Sequence, residues 1–134
     1  EAKALVDAFT INVVGATLLT QAATPMLERG TAPRVVNISS ILGSIGTRAA
    51  FGTPSYAISK AALNMATRQL AFELSARGIV AVAIHPGWVR TAMGGADAEL
   101  EPAAAVASVL GVIDRLRGAD AGRFLDWNGT EVPW

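Results

Sequence analysis

Apolar residues recur at three- and four-residue steps over the first 28 positions, as Leu5, Val6, Phe9, Val13, Leu18, Leu19 and Met26 among good helix formers. The spacing predicts one helix over residues 1–28, closed by Arg29-Gly30. Beyond Pro33 the pattern changes to Arg34-Val35-Val36-Asn37-Ile38-Ser39, a short β-branched run of the kind buried on both faces of a parallel sheet. Gly43, Gly46 and Gly52, scattered among Ser and Thr, predict a long loop over 40–53. A second helix is predicted from Thr53 or Ser55, beside Pro54, to Arg77, where Gly78 stops it. Ile79 to Ile84 forms a second buried strand ended by Pro86-Gly87, and a loop through Gly94-Gly95 follows. Pro102 opens a third helix to Arg117, with Gly118 at its end. Gly122-Arg123-Phe124-Leu125-Asp126 predicts a last strand before a polar turn at Asn128-Gly129.

The order α-β-α-β-α-β, with a helix in each connection, predicts an α/β fold with a parallel sheet and right-handed crossovers. Three strands are few for a doubly wound sheet, whose faces both need helical cover. No strand is followed by GxGxxG with an acidic residue about 20 positions on. The expectation is therefore the C-terminal half of a Rossmann-type doubly wound domain, with residues 1–134 as its catalytic part and the N-terminal βαβ half absent. The sequence opens on Glu1 in what reads as mid-helix.

Composition narrows the function classes. Of the 134 residues 51% are hydrophobic, which is enough to bury a core, and 11 basic residues balance 11 acidic ones. No basic face is available to neutralise a run of phosphates, so nucleic acid is not an expected partner. Without cysteine there are no disulfides, thiolate nucleophiles or Cys-based zinc sites, and His85 is the single imidazole. No metal site is expected. Neither a signal peptide nor an unbroken run of 18 apolar residues is evident, so the expectation is a cytoplasmic protein with no membrane partner.

Tyr56, the single tyrosine, and Lys60 lie four positions apart in a predicted helix and share a face. A phenol ionising near pH 10 is a weak acid-base catalyst at neutrality, and a neighbouring ammonium favours its phenolate form. The same spacing also suits a tyrosine lying against a lysine stem on a helix surface. Ser39-Ser40 ends the first strand at the C-terminal edge of a parallel sheet, where ligands bind in such folds, and there Ser40 either donates to a substrate carbonyl or forms a turn. Asn12 is polar within an apolar helical stretch. His85 without a histidine or cysteine partner reads as structural, and Trp88 either lines a substrate pocket or packs its loop against the sheet. Met26, Met65 and Met93 read as core or loop residues. Asp97, Glu99 and Glu101 fit the N-terminal dipole of the third helix better than a metal.

Together these segments resemble the short-chain dehydrogenase/reductase family. The resemblance rests on the helix with Asn12, Val35-Val36-Asn37-Ile38-Ser39-Ser40, Tyr56-Ala57-Ile58-Ser59-Lys60, and Pro86-Gly87 with Thr91. Ser59-Lys60-Ala61-Ala62-Leu63-Asn64-Met65, His85-Pro86-Gly87-Trp88-Val89-Arg90-Thr91 and the closing Asn128–Trp134 segment are similar to the C-factor/sniffer-like carbonyl reductases within it.

The resemblance implies a tetrad of Asn12, Ser40, Tyr56 and Lys60. Tyr56 is then the general acid that protonates a carbonyl oxygen, and Ser40 polarises that oxygen. Lys60 favours the phenolate and binds the nicotinamide ribose, and Asn12 holds a water linking Lys60 to solvent. Pro86, Gly87, Val89 and Thr91 are implied to border the nicotinamide and phosphate side, with Trp88 toward the substrate. NADP is the implied cofactor ahead of NAD, the substrate is a small carbonyl or alcohol, and helices 1–28 and 54–77 form a homo-oligomer interface. The chain by itself is expected to be nearly inactive. The competing expectations are a non-enzymatic interaction or signalling module of the C-factor type and a serine hydrolase using Ser40 and His85. The latter lacks a GxSxG elbow.

Overall fold

The computed structural model describes all 134 residues. The first predicted helix is present but not uniform: α1 (Ala2–Phe9) and α2 (Ala16–Leu27) are joined through a π-helical segment, Thr10–Gly15. Then follow β1 (Arg34–Ile38), a 3₁₀ turn at Ile41–Gly43, α3 (Pro54–Ser75), β2 (Val80–His85), α4 (Pro102–Arg115), a 3₁₀ turn at Gly118–Asp120, and β3 (Phe124–Asp126). Pro54 and Pro102 each begin a helix where a missing N–H costs nothing, and Gly78 takes the positive φ of 73° that ends α3.

The sheet is parallel throughout in the order β1-β2-β3, with Ile38 opposite Ile84 and His85 opposite Asp126. Helices cover both faces, as expected for part of a Rossmann-type doubly wound sheet. On one face α4 buries Val109 and Val112 against Val82, Ile84 and Leu125. On the other, Ala71 and Leu74 of α3 meet Ile79 and Ala81. Ile79, Val82 and Ile84 are fully buried, each contributing about 1.5–3 kcal/mol of transfer free energy.

α1 and the π segment pack along α3, yet Val6, Ile11, Leu18, Leu19 and Met26 remain exposed. By length and composition Ala2–Leu27 is apolar enough to cross a membrane, although polar residues interrupt its apolar run. Met26, Met65 and Met93 are also exposed, so none of them is a core residue.

β1 is an edge strand. Ser39 N–H donates to the Ile84 carbonyl and the Pro33 carbonyl accepts from Val80 N–H, so the odd-numbered residues of β1 bond inward. The intervening residues Val36 and Ile38 turn their amides outward. Hydrogen exchange should therefore find the Ser39 amide protected and those of Val36 and Ile38 fast; equal protection of all three would show a further strand paired to this edge.

Candidate active site

The C-terminal ends of β1 and β2 bring the sequence-predicted residues to one side of the molecule. Because β1 ends at Ile38, the backbone there is free to turn, and Ser40 caps the following 3₁₀ turn by accepting a hydrogen bond from Leu42 N–H at 3.2 Å. Ser40 is therefore both the turn former and a residue at the sheet edge. Tyr56 and Lys60 lie on the first two turns of α3, with the Lys60 ammonium 5.6 Å from the Tyr56 ring centroid. That ammonium is within cation–π range of the ring.

Lys60 is 9% exposed, and its Nζ donates to the Ile38 carbonyl at 2.8 Å. The Ile38 carbonyl points away from β2, so the lysine satisfies an acceptor that the sheet leaves open. Burial lowers the Lys60 pKa from its ordinary value because the ammonium loses water. One acceptor occupies one of its three donors. The remaining N–H groups, beside a phenol at a sheet edge, fit the paired hydroxyls of a nicotinamide ribose. No glycine-rich turn for a pyrophosphate accompanies them. The residues present thus fit the nicotinamide end of a dinucleotide.

Asn12 lies in the π segment, where an extra residue per turn reorients side chains. Its Nδ2 donates to Ser59 Oγ at 2.9 Å, and Ser59 Oγ donates to the Tyr56 carbonyl at 2.8 Å. Asn12 thus reaches the Tyr56–Lys60 turn through Ser59, one position before the lysine.

The loop after β2 is rigidly built. Gly87 has φ 86°, and a Cβ there would collide with Leu100 and Trp127. Trp88 Nε1 donates to the Gly94 carbonyl at 2.8 Å, while Val89 bridges to Leu100. Gly94 N–H donates to Thr91 Oγ1 at 3.1 Å, and a side chain at Gly94 would run into the Val89 carbonyl. Trp88 is half exposed and bound to its own loop. The 40–53 loop is held by Ser44 Oγ, which donates to the Pro133 carbonyl at 2.5 Å, and by Gly46 N–H, which donates to the Trp134 carbonyl at 2.7 Å. Glu101 pairs with Arg90, so an ion pair as well as the helix dipole accounts for that part of the acidic cluster.

Ser59, Asn64 and Gly43 stand in segments already singled out in the sequence, but none of the three carries a role of its own there. Asn64 stands four residues beyond Lys60 and eight beyond Tyr56, and that polar i, i+4, i+8 stripe was the available signal. Gly43 offered none, because its need for hydrogen in place of Cβ arises from contact with α3.

Comparison with known proteins agrees with this fold. The family model described as short chain dehydrogenase matches residues 1–101. The chain belongs to the short-chain dehydrogenase family. Among members of the short-chain dehydrogenase family, the C-signal of Myxococcus xanthus is 46% identical over 126 residues, covering 94% of this chain and 76% of that protein. The carbonyl reductase Sniffer of D. melanogaster superposes with a TM-score of 0.95 at 32% identity, over 100% of this chain and 58% of its own. An NADPH-bound carbonyl reductase from chicken fatty liver gives 0.87 at 37% identity, with the same coverages of 100% and 58%. The chain thus spans little more than half of either reductase. Short-chain dehydrogenases are oxidoreductases of small molecules, and solved family members bind NADP.

Two predictions follow from the loop and its strand. Gly87→Ala should lower stability by about 2 kcal/mol or more, through the positive φ and the clash with Trp127, read as a drop in the urea midpoint. His85 is the last residue of β2 and its Nδ1 is buried without a partner. Burial lowers its pKa from the ordinary 6.5, with Asp126 pulling the other way. In the window from 6.5 down to the folded value the unfolded chain binds a proton that the folded chain does not, so stability is lost as the pH is lowered through it and is unaffected above it. His85→Gln should remove that part of the acid sensitivity; parallel urea-midpoint-against-pH curves for the two proteins would refute it.

Proposed function

We propose that this chain is the C-terminal catalytic part of an NADP-dependent carbonyl reductase, in which Asn12, Ser40, Tyr56 and Lys60 form the reacting centre. The observation that carries the reading is the buried Lys60 ammonium beside the Tyr56 ring at the sheet edge where Ser40 turns. A bound nicotinamide cofactor supplies the hydride. Ser40 Oγ donates a hydrogen bond to the substrate carbonyl oxygen and fixes its direction. The Tyr56 hydroxyl hands its proton to that oxygen as negative charge builds there, with the Lys60 charge stabilising the phenolate left behind. Lys60 also holds the ribose hydroxyls, and Asn12, through Ser59, keeps the helical turn that carries both groups in place. Pro86, Gly87, Val89 and Thr91 form the wall on the nicotinamide side, and Trp88 faces the substrate. The reverse reaction oxidises an alcohol through the same groups.

The region of the relatives' length outside this chain supplies the pyrophosphate turn in this reading, and the 134-residue chain alone is close to inactive because positioning is lost with the rest of the cofactor's contacts. NADP rather than NAD is supported by the NADPH-bound reductase from chicken fatty liver. The exposed apolar sides of α1–α2 and α3 form the homo-oligomer interface, and the protein works in the cytoplasm with neither membrane nor nucleic acid as partner. A second reading, an interaction or signalling module without redox activity, is favoured by the exposed apolar surface of Ala2–Leu27 and by similarity to the C-signal.

The intact mass of the protein from its natural source, followed by an NADPH-oxidation assay with carbonyl substrates, separates the two. A mass near twice the 13.8 kDa of this chain, with turnover that Tyr56→Phe lowers about 10²–10⁴-fold without loss of folding, supports the reductase. A mass near 13.8 kDa with no turnover overturns it in favour of the module.

A further inference from the structure

Two buried polar contacts and one close backbone approach outside the proposed tetrad converge on the segment that carries Ser40. Ser39 Oγ donates to Asn64 Oδ1 at 2.5 Å, and Asn64 Nδ2 donates to the Gly43 carbonyl at 3.4 Å. Gly43 itself lies so close to α3 that a Cβ there would sit 2.7 Å from the Lys60 carbonyl carbon and 2.9 Å from Ala61 N. With Lys60 bound to the Ile38 carbonyl, residues 38–43 are therefore pinned to the 60–64 turn of α3 at both ends. Ser40 lies between the pins. Ser39 and Asn64 are each 2% exposed, so neither carboxamide arm has water as an alternative partner.

We propose that Asn64 is a positioning residue whose buried carboxamide, gripping Ser39 on one side and Gly43 on the other, sets the placement of Ser40 against Lys60 and Tyr56. The carboxamide suits this task because it offers an acceptor and a donor at once, and both are engaged in opposite senses. An aspartate at this position loses the donor, and a leucine loses both while leaving the Ser39 hydroxyl and the Gly43 carbonyl unpaired. The close approach at Gly43 makes the clamp rigid: backbone touches backbone there, with no side chain to yield. The catalytic meaning of the clamp rests on the reading of Ser40, Tyr56 and Lys60 as reacting groups, whereas the clamp itself does not.

Lys60 reports on it directly. In this chain Lys3 and Lys60 are the two lysines, so ¹³C-lysine labelling gives one site resonance and one exposed internal control. Tyr56 is the ionisable neighbour within reach of the Lys60 ammonium, and no carboxylate bonds to it. In Asn64→Ala the 38–43 segment loosens and water reaches the ammonium, so the Lys60 titration midpoint should move upward toward that of an ordinary lysine while Lys3 stays in place. Ser39→Ala, which cuts one arm and disturbs the fold less, should move it in the same direction by a smaller amount. A residue that merely adds stability would lower the melting temperature and leave the Lys60 midpoint of the folded protein unchanged. That result in either folded variant overturns the clamp. In the reductase-competent protein, Asn64→Ala should lower kcat on the order of 10²-fold with little change in KM for NADPH. A shifted Lys60 midpoint with unchanged kcat would keep the clamp and overturn its catalytic role, and a wild-type protein without turnover would overturn the reductase reading alone.

Discussion

The seam of hydrogen bonds between β1 and α3 fixes where every group near the sheet's C-terminal edge can stand. Lys60 meets the Ile38 carbonyl, Asn64 meets Ser39, and Thr67 Oγ1 accepts from Asn37 Nδ2 at 2.8 Å. Asn64 and Thr67 thus take the side chains of the alternate residues Ser39 and Asn37, while Lys60 takes the backbone carbonyl of Ile38 between them. Sliding α3 by one turn, about 5.4 Å, would leave all three unpaired in a buried layer, at about 1–3 kcal/mol for each orphaned group. Apolar contacts tolerate sliding and exchange far better. The polar seam therefore specifies register, while the apolar residues around it supply most of the burial.

The two faces of the sheet divide the work accordingly. Against α4 the sheet presents the buried apolar residues Val82, Ile84 and Leu125. Against α3 it presents Asn37 and Ser39 as well as alanines. Small residues at Ala81 and Ala83 bring α3 close to the strands, and Ala81 and Ala83 are fully buried. Close approach is what lets side chains as short as serine and asparagine span the gap. The chemistry-bearing residues of the helix all belong to this closer, more polar face.

The elements were legible because hydrophobic period, proline and glycine agreed at almost every boundary. Pro54 and Pro102 stood where the helices begin, and the β-branched run from Arg34 gave β1. The Tyr56–Lys60 pair was readable from spacing alone, since i and i+4 share a helix face. The π segment was not, because an inserted residue leaves the apolar steps of a helix looking regular over one or two turns. Gly43 and Asn64 were hidden for a different reason: their environment is made by contacts between residues about 20 apart in sequence, which no local pattern encodes. His85 looked isolated in sequence and acquires Asp126 as a neighbour only through the β2–β3 register.

The π segment at Thr10–Gly15 also shapes the outer surface of the long first helix. One additional residue per turn there sets everything beyond it back by about 100° around the axis relative to an uninterrupted α-helix. Val6 and Leu18, both exposed, would stand about 120° apart around an uninterrupted α-helix and come to within about 20° of each other with the insertion between them. The π segment thus lines up an exposed apolar residue from each half of the helix, and one flat surface can touch both halves at once.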